Sequence, residues 1–267
     1  MPLVSIIIPT YNSARTLEQC LISIVAQDYK DIEIIVVDNN STDTTKEIAQ
    51  KYTQNVFNKG PERTAQKNYG IELANGEYLL IIDGDMFIDK GLITECVKLI
   101  GKDLNNAGVC VPVSDVGDSY WVKCIAFERS LYVGTQMEAP RFLKKELVKK
   151  VGMYPEDIIF FEEFIVPQKI EKLGYNIRLH SENKIYHDYY DFDFMQNLKK
   201  RFNYGKTMKA YSENQEEYSD SQLGIGNRLK IFFTNKSFYT KPHLSLGIIS
   251  LKFIELVSGK LGLFLNK

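Results

Sequence analysis

The chain has 267 residues, of which 44% are hydrophobic and 25% charged; this is the composition of a globular protein and excludes disordered and fibrous classes. Its four cysteines lie far apart with no paired spacing, so neither a disulfide framework nor a cysteine zinc site is expected, and a reducing cytoplasm is favoured. The net charge of −1 conceals an asymmetry, because residues 199–267 hold 12 of the 33 basic residues but only 5 of the 34 acidic ones.

Apolar runs and helical patterns alternate along the first part of the chain. The run at 4–8 has neither a basic leader nor a small-residue cleavage site, so it is predicted to be a strand and not a signal peptide. The patterns predict, in order, strand 4–8, helix 14–26, strand 32–38, helix 44–52, helix 62–74, strand 76–83, helix 90–100 and strand 107–113. This alternation predicts an α/β fold with a mostly parallel central sheet and helices on both faces.

Polar side chains follow three of the predicted strands, and in such sheets ligands bind outside the carboxyl ends of the strands. Tyr11 can stack on a nucleobase, and the amide of Asn39 matches a uracil or thymine edge, although Asn39 and Ser41 could instead cap the next helix. Asp83 and Asp85 can hold a ribose hydroxyl and a magnesium or manganese ion that bridges a diphosphate. The alternative for this Asp-Gly-Asp stretch is a solvated turn. Gly84 is expected to keep side-chain bulk away from the diphosphate.

A glycine-proline turn opens the helix that carries Arg63 and Lys67, which are spaced four residues apart on one face. Both can reach phosphate oxygens with help from the helix amino terminus, while the alternative is a solvated helix face. Neither a phosphate loop of the G-x-x-x-x-G-K-[ST] type nor a G-x-G-x-x-G fingerprint occurs in the sequence, which disfavours an ATPase and a dinucleotide dehydrogenase.

Four segments in order carry a family resemblance: VSIIIPTYN, IEIIVVDNNSTDTT, GPERTAQKNYGIELANGEYLLIIDGDM and PRFLKKELVKKVGMYPEDIIFFEEFIVPQKIEKLGYNI. Together they resemble the family 2 glycosyltransferases with the GT-A fold, from about residue 3 to about residue 206. The resemblance implies transfer of a hexosyl or N-acetylhexosaminyl group, with inversion, from a nucleoside-diphosphate donor to a hydroxyl acceptor. A UDP-sugar is the favoured donor, and a divalent cation, magnesium or manganese, is the implied cofactor.

The resemblance also implies roles for single residues around the donor. Pro9 and Tyr11 would lie along the nucleobase, Asp38 and Asn39 would hold uracil and ribose, and Asp83 would lie near the ribose. Asn39 stands where the family has a second acid, so the preference for uridine is weakened. Arg63 and Lys67 would bind the diphosphate, Asp85 and His187 would bind the metal, and Arg141 would face the donor, while His180 and His243 receive no role.

An inverting transfer needs a general base for the acceptor hydroxyl, and the segment FFEEF offers two acids. The family places an acidic pair eleven residues before a Gly-Tyr, which here is Gly174-Tyr175, so the pair falls on Glu162 and Glu163. Glu163 is implied to be the base and Glu162 an orienting neighbour, with a raised pKa favoured for one of them. The alternative is that both acids occupy the first turn of a helix, where negative charge is favourable.

The expected organisation is a GT-A catalytic domain over 1–206 and a mainly helical extension over 207–267. The catalytic domain would hold a nucleotide-sugar half, about 1–113, and an acceptor half, about 114–206. Residues 188–240 are aromatic and basic, but nucleic-acid binding is ranked low because the whole chain is slightly acidic and no nucleic-acid module is recognised. A polar loop is predicted over 213–227.

The last stretch, 244–267, is apolar around most of a helix, and Ser245, Lys252, Glu255 and Gly259 share the remaining face. Its charges argue against a membrane span. Two interpretations stay open: an interfacial helix at the inner face of the cell membrane, which would favour a polyprenyl-linked glycan acceptor, or a helix packed on the catalytic domain or on a second subunit of a homo-oligomer. Two other function classes also stay open, a sugar-nucleotide nucleotidyltransferase and a catalytically silent nucleotide- or glycan-binding protein.

Overall fold

The structure, a computed structural model, describes residues 1–158, 161–203 and 225–265. It divides into two compact units that are discontinuous in sequence. Unit 1 comprises Met1–Pro112, Ala139–Asp157 and Glu162–His187, and unit 2 comprises Val113–Glu138, Ile158–Phe161 and Asp188–Lys267. The predicted domain boundary after residue 206 and most of the predicted loop over 213–227 lie outside the described residues. Residues 225–227 begin a helix, so for them the loop prediction is wrong.

Unit 1 is an α/β unit. Its strands are β1 (Val4–Thr10), β2 (Ile32–Asp38), β3 (Val56–Asn58), β4 (Tyr78–Ile81), β5 (Met86–Ile88), β6 (Gly108–Cys110), β8 (Pro140–Lys144), β9 (Leu179–His180) and β10 (Ile185–Asp188). Its helices are α1 (Leu17–Val25), α2 (Thr45–Gln50), α3 (Arg63–Leu73), α4 (Leu92–Ile100), α6 (Lys145–Lys150) and α7 (Glu162–Lys172). The strand predicted over 76–83 ends at Ile81, and the residues after the Asp-Gly-Asp turn form the separate strand β5.

Seven strands of unit 1 form one sheet in the order β3-β2-β1-β4-β8-β6-β9. β1 runs parallel to β2 and β4, and β8 runs antiparallel to both β4 and β6. In the register of β1 and β2, Thr10 lies opposite Asp38, so the two strands end side by side. The prediction of a mostly parallel, helix-covered sheet is therefore confirmed, and the carboxyl ends of β1, β2 and β4 share one edge of it.

The core of unit 1 explains why the strands read as continuous apolar runs. All seven residues of β1 and all four of β4 are buried, as expected for strands covered on both faces. Side chains of β1, β2 and β4 pack with those of α3, α6 and α7, and the cluster includes Ile7, Ile71, Leu79, Val148 and Val166.

Unit 2 is mainly helical. It contains strand β7 (Val113–Val116) and helices α5 (Tyr120–Tyr132), α8 (194–203), α9 (Ile225–Thr234), α10 (Ser237–Thr240) and α11 (Pro242–Leu265). Its core is an aromatic cluster in which the rings of Phe232 and Phe238 stack 5.8 Å apart, beside Phe127 and Ile248. α11 contains the predicted helix at 244–267 except its last two residues, which lie outside the described part. None of the helices within the described ranges has the length and apolarity needed to cross a membrane.

Candidate active site at the strand ends

The ends of β1 and β2 are held together around the buried carboxylate of Asp38. Thr10 Oγ1 donates a hydrogen bond to Asp38 Oδ1 at 3.0 Å, and Ser41 N donates to Asp38 Oδ2 at 2.7 Å. Lys46 Nζ lies 3.6 Å from the same Oδ2. Because Asp38 is fully buried and both of its oxygens already accept hydrogen bonds from protein groups, its visible contribution is to order the loop after β2.

Asn39 lies against the glycine-proline turn that precedes α3. Its Nδ2 donates to the carbonyl oxygen of Pro61 at 2.7 Å, and a Cβ on Gly60 would overlap its Oδ1. The residue at the N-cap of α2 is Thr44, with no side-chain capping bond, so the interpretation of Asn39 as a helix cap is wrong. Tyr11 is 62% exposed after β1, which leaves its ring open for stacking.

A buried glutamine that the sequence reasoning missed joins the same two strands. Gln66 Nε2 donates to the carbonyl oxygen of Thr10 at 2.9 Å and to that of Val37 at 2.6 Å. Glutamine in a helix is ordinarily a surface residue, and no periodicity in the sequence marks this one as buried. Its neighbours in α3 are buried as well, because they contact other parts of unit 1: Lys67 Nζ donates to Glu162 Oε1, and Asn68 Nδ2 donates to the carbonyl oxygen of Tyr154.

An ion network connects α3, the end of β4 and the start of α7. Arg63 Nη2 lies 2.6 Å from Glu162 Oε1, and Arg63 Nη1 lies 3.6 Å from Asp83 Oδ2. Lys67 Nζ donates to the same Glu162 oxygen at 3.1 Å and lies 5.4 Å from the centre of the Tyr154 ring. Four of the predicted site residues are thus brought together.

The two cations of α3 differ in exposure, which qualifies their predicted role. The side chain of Arg63 is 40% exposed, whereas that of Lys67 is 7% exposed. The interpretation of this pair as a solvated helix face is therefore wrong for Lys67. The charge of Lys67 neutralises the buried carboxylate of Glu162. Without a countercharge this buried acid would be strongly destabilising.

The positive groups around Asp83 decide its protonation state. Burial by itself would raise the pKa of Asp83, but the charges of Arg63, Lys67 and Arg141 outweigh it and hold the pKa well below its ordinary value. Asp83 is therefore an anion at neutral pH, and Arg141, which the sequence placed near the donor, lies close enough to act on it electrostatically.

The adjacent acids at the start of α7 have opposite pKa shifts. Burial works against ionisation of Glu162, but Lys67 and Arg63 prevail and lower its pKa. Burial raises the pKa of Glu163, and the negative charge of Glu162 raises it further. One carboxylate is thus a fixed anion, and its half-buried neighbour binds a proton more readily than an ordinary glutamate.

The backbone around this pair is unusual on both sides. Phe161 has φ +54°, a left-handed conformation that is costly for an aromatic residue, and α7 begins directly after it at Glu162. Pro167 lies inside α7 and has no N–H for the carbonyl group of Glu163 four residues earlier. Both acids occupy the first turn of the helix, where the helix dipole favours negative charge, as the alternative interpretation assumed.

Asp85 and His187 meet where β5 and β10 pair. His187 is the antiparallel partner of Met86, and its Nε2 lies 3.2 Å from Asp85 Oδ2. Adjacent ligands of an octahedral ion with bonds of about 2.1 Å are roughly 3 Å apart, which agrees with this distance. The other oxygen, Asp85 Oδ1, is buried and accepts no hydrogen bond within the described part of the chain. The pair therefore fits a divalent cation.

Gly84, between the two aspartates, faces protein atoms. A Cβ at this position would lie 3.2 Å from Thr10 Cγ2 and 3.4 Å from the Cβ of Ser13, so the turn packs closely on the segment after β1. Close packing is therefore one reason for glycine at this position, and the clearance for a diphosphate stays a prediction. Beneath the turn, the buried thiol of Cys20 lies 4.0 Å from the carbonyl oxygen of Asp83.

Comparison with known proteins gives the family. The model of the family described as Glycosyl transferase family 2 matches residues 5–156, more than half of the chain. The chain belongs to this family. The matched range includes the residues at the ends of β1, β2 and β4, whereas Glu162, Glu163 and His187 follow it in the sequence.

Individual relatives are similar over different lengths. Glycosyltransferase AglE of Haloferax volcanii is 27% identical over 227 residues, which cover 77% of this chain and 73% of that protein. The GalNAc(5)-diNAcBac-PP-undecaprenol beta-1,3-glucosyltransferase of Campylobacter jejuni is 41% identical over 108 residues, which cover 37% of this chain and 34% of that protein. Matches to several other curated relatives span at most 41% of their lengths.

A solved structure supports the fold. Mannosyltransferase PcManGT from Pyrobaculum calidifontis, solved in complex with GDP-Man and Mn²⁺, has a TM-score of 0.63 at 18% identity, and the match covers 96% of this chain and 87% of that one. At this identity the likeness speaks for the fold alone, which agrees with the GT-A fold expected from the sequence motifs.

Proposed function

We propose that this protein is a metal-dependent, inverting glycosyltransferase that moves a hexosyl or N-acetylhexosaminyl group from a nucleoside-diphosphate sugar to a hydroxyl group of a glycan or lipid-linked glycan. The observation that carries the proposal is the contrast within the acidic pair. Glu162 is held as an anion by Arg63 and Lys67, while the pKa of the adjacent Glu163 is raised. A general base that works near neutral pH needs this kind of shift.

The proposed reaction is a single displacement. The acceptor oxygen attacks the anomeric carbon while its proton passes to the carboxylate of Glu163, and the bond between that carbon and the donor phosphate oxygen breaks with its electrons leaving on the nucleoside diphosphate. Attack from the side opposite the leaving group inverts the anomeric configuration. No covalent enzyme intermediate is required, so Glu162 has an orienting and electrostatic task.

The reaction also requires that the negative charge developing on the departing diphosphate is stabilised. Arg63 is the cation of α3 that combines exposure with a position beside Asp83, and so we assign it to the diphosphate. Lys67, being buried, supports the site through Glu162 instead. Asp85 and His187 would hold the divalent cation, which when bound supplies further positive charge to the leaving group.

The donor nucleoside is assigned to the loops after β1 and β2. The exposed ring of Tyr11, with Pro9 before it, would stack on the base, and Asn39 would bind the base edge with Asp38 ordering the loop. We favour uridine, although the related fold of PcManGT was solved with a guanosine donor. Calorimetry with UDP, GDP and TDP in the presence of manganese decides between them.

The acceptor is the least constrained partner. The name of the Campylobacter relative describes a glucosyltransferase that acts on an undecaprenyl-diphosphate-linked glycan. By analogy we propose a lipid-linked glycan as the first acceptor class to test, with a free glycan as the second.

The experiment measures nucleotide release and sugar transfer with a panel of UDP-, GDP- and TDP-sugars and manganese. Glu163→Gln is expected to lower kcat about 10²- to 10⁴-fold while nucleotide affinity stays unchanged, because the base acts only in the transition state. Glu146→Gln, at an exposed position, is the matched control. Full activity of Glu163→Gln would refute the assignment of the base, and failure of every donor to bind would refute the proposed function.

A further inference from the structure

The last helix of unit 2 has its polar side turned inward. Ser245 and Glu255 are 5% and 8% exposed. The Glu255 carboxylate accepts hydrogen bonds from Asn197 at 2.9 Å and from Lys252 at 2.7 Å, and lies 3.1 Å from Arg201 Nε. The polar face recognised in the sequence of α11 is therefore buried and paired with residues of unit 2.

The opposite side of α11 is apolar and exposed. We name as the outer stripe Leu246, Ile249, Phe253, Val257 and Leu261, which are 67%, 39%, 67%, 45% and 52% exposed. They are spaced by three or four residues, so they share one face of the helix over roughly 22 Å. A surface helix ordinarily has the reverse arrangement, and a contiguous exposed apolar patch marks a site of interaction.

The charged residues of the range 225–265, which contains α11, favour one occupant of the outer stripe. Between residues 225 and 265 the sequence has one acidic residue, Glu255, which is buried and paired. The exposed charged residues of this range are positive, namely Lys230, Lys236, Lys241 and Lys260. A second copy of this face would bring like charges together, whereas an anionic lipid surface complements them.

We propose that the outer stripe of α11 docks on the surface of a bilayer that contains anionic lipids. The apolar side chains enter the headgroup region, and exposed lysines of the same range, among them Lys260 next to Leu261 in the sequence, face the lipid phosphates. The helix lies along the surface and does not cross it. The outer stripe belongs entirely to unit 2, so its docking on lipid does not depend on the proposed glycosyl transfer.

Sedimentation with vesicles tests the proposal on the full chain. The protein is expected to sediment with vesicles of phosphatidylcholine and phosphatidylglycerol, to bind vesicles of phosphatidylcholine alone at least tenfold more weakly, and to lose part of its binding in high salt. The double variant Leu246→Glu/Phe253→Glu is expected to lower binding to the anionic vesicles at least tenfold. Leu104→Glu, at a 91% exposed site in unit 1, is the matched control and should bind like the unmodified protein.

Further measurements distinguish a loss of lipid binding from a loss of folding and from dimerisation. The double variant should retain its unfolding temperature and its activity towards water-soluble substrates, because both replaced side chains are largely exposed. Equal vesicle binding by the double variant and the unmodified protein would overturn the proposal, as would absence of binding by the unmodified protein. Sedimentation velocity without vesicles gives a third outcome: a dimer that Phe253→Glu dissociates would assign the outer stripe to a second copy of the chain and overturn the lipid proposal.

Discussion

Each of the two units contains a cluster of buried charges, and the clusters differ in how completely they are closed. In unit 2, Lys252 Nζ lies 2.7 Å from both Glu128 Oε2 and Glu255 Oε2, and Tyr132 donates to the other oxygen of Glu128. In unit 1, Glu162 is neutralised in the same way by Arg63 and Lys67.

The ion network of Arg63, Lys67 and Glu162 in unit 1, however, adjoins groups that it does not neutralise. Glu163 has a raised pKa next to Glu162, and one oxygen of Asp85 is buried without a hydrogen bond inside the described ranges. A closed cluster contributes to folding, while an open one has charge left for a substrate. Buried ion pairs alone are therefore a poor sign of function. A better sign is an adjacent group with a perturbed pKa or a buried oxygen without a hydrogen bond.

The largest difference is expected from the arginine of each cluster. Arg63→Gln should lower kcat about 10²- to 10³-fold, because the cation proposed to face the leaving diphosphate is lost, and it should also lower the unfolding temperature, since Arg63 pairs with the buried Glu162. Arg201→Gln should leave kcat of the folded protein unchanged and lower stability. Steady-state kinetics and thermal unfolding on both variants check this contrast, and loss of activity in both would abolish the distinction between the clusters.

The pH dependence of the free energy of unfolding tests the buried charge cluster of unit 2. The pKa of Glu255 is lowered from 4.5 to about 2, because Lys252 and Arg201 outweigh the effect of burial. Its contribution, about 3 kcal/mol, is present above pH 4.5 and is lost as the pH falls towards 2. Glu255→Gln should remove this contribution and flatten the denaturant-derived stability curve in that window. An unchanged curve would show that the ion pairs of Glu255 do not contribute.

The proposed cation site at Asp85 and His187 offers a third comparison, with a smaller expected effect. Asp85→Asn should raise the manganese concentration needed for half-maximal activity about tenfold, since a charged oxygen ligand is replaced by a neutral amide. Manganese titrations of activity and of thermal stability measure this. Asp115→Asn, a buried acid of unit 2 that pairs with Arg129 at 2.9 Å, is the control and should leave the titration midpoint unchanged. An unaltered midpoint in Asp85→Asn would place the cation elsewhere.

The smallest expected effect concerns the pH dependence of the rate. Lys67 lowers the pKa of Glu163 against the influence of burial and of Glu162, so Lys67→Met should raise that pKa further. Because Glu163, as the proposed base, must be unprotonated to act, the acid limb of the profile of kcat against pH should move to higher pH. A limb that moves to lower pH, or stays in place, would contradict the electrostatic coupling of α3 to α7.

The positions of several residues of the candidate site were predictable, because they depend on local patterns. Asp83, Asp85 and Tyr11 follow strands whose apolar runs are unmistakable, and strand order alone brings their positions to one edge of the sheet. The register that places His187 beside Asp85 depends on pairing of β5 with β10, about a hundred residues apart, and came only with the family resemblance.

Other features depend on packing that a single sequence does not encode. In the sequence Lys67 has the pattern of a surface residue, and only the tertiary structure pairs it with Glu162. Nothing in the sequence indicates that the amide of Gln66 joins β1 to β2. On α11 the sequence showed one polar and one apolar face, but which face turns inward was decided by Glu128, Asn197 and Arg201 from other helices. Periodicity finds faces, and only tertiary contacts orient them.

Cys20 provides the strand-end site with an intrinsic chemical reporter. Burial raises the pKa of its thiol, and the carboxylates of Asp85 and Asp83 raise it further, so at neutral pH the sulfur is protonated and unreactive. Alkylation requires α1 to move away from the turn that holds the two aspartates. The rate of labelling at Cys20, followed by mass spectrometry, therefore reports the frequency of local opening of α1. A compound that binds and stabilises this site is expected to slow the labelling.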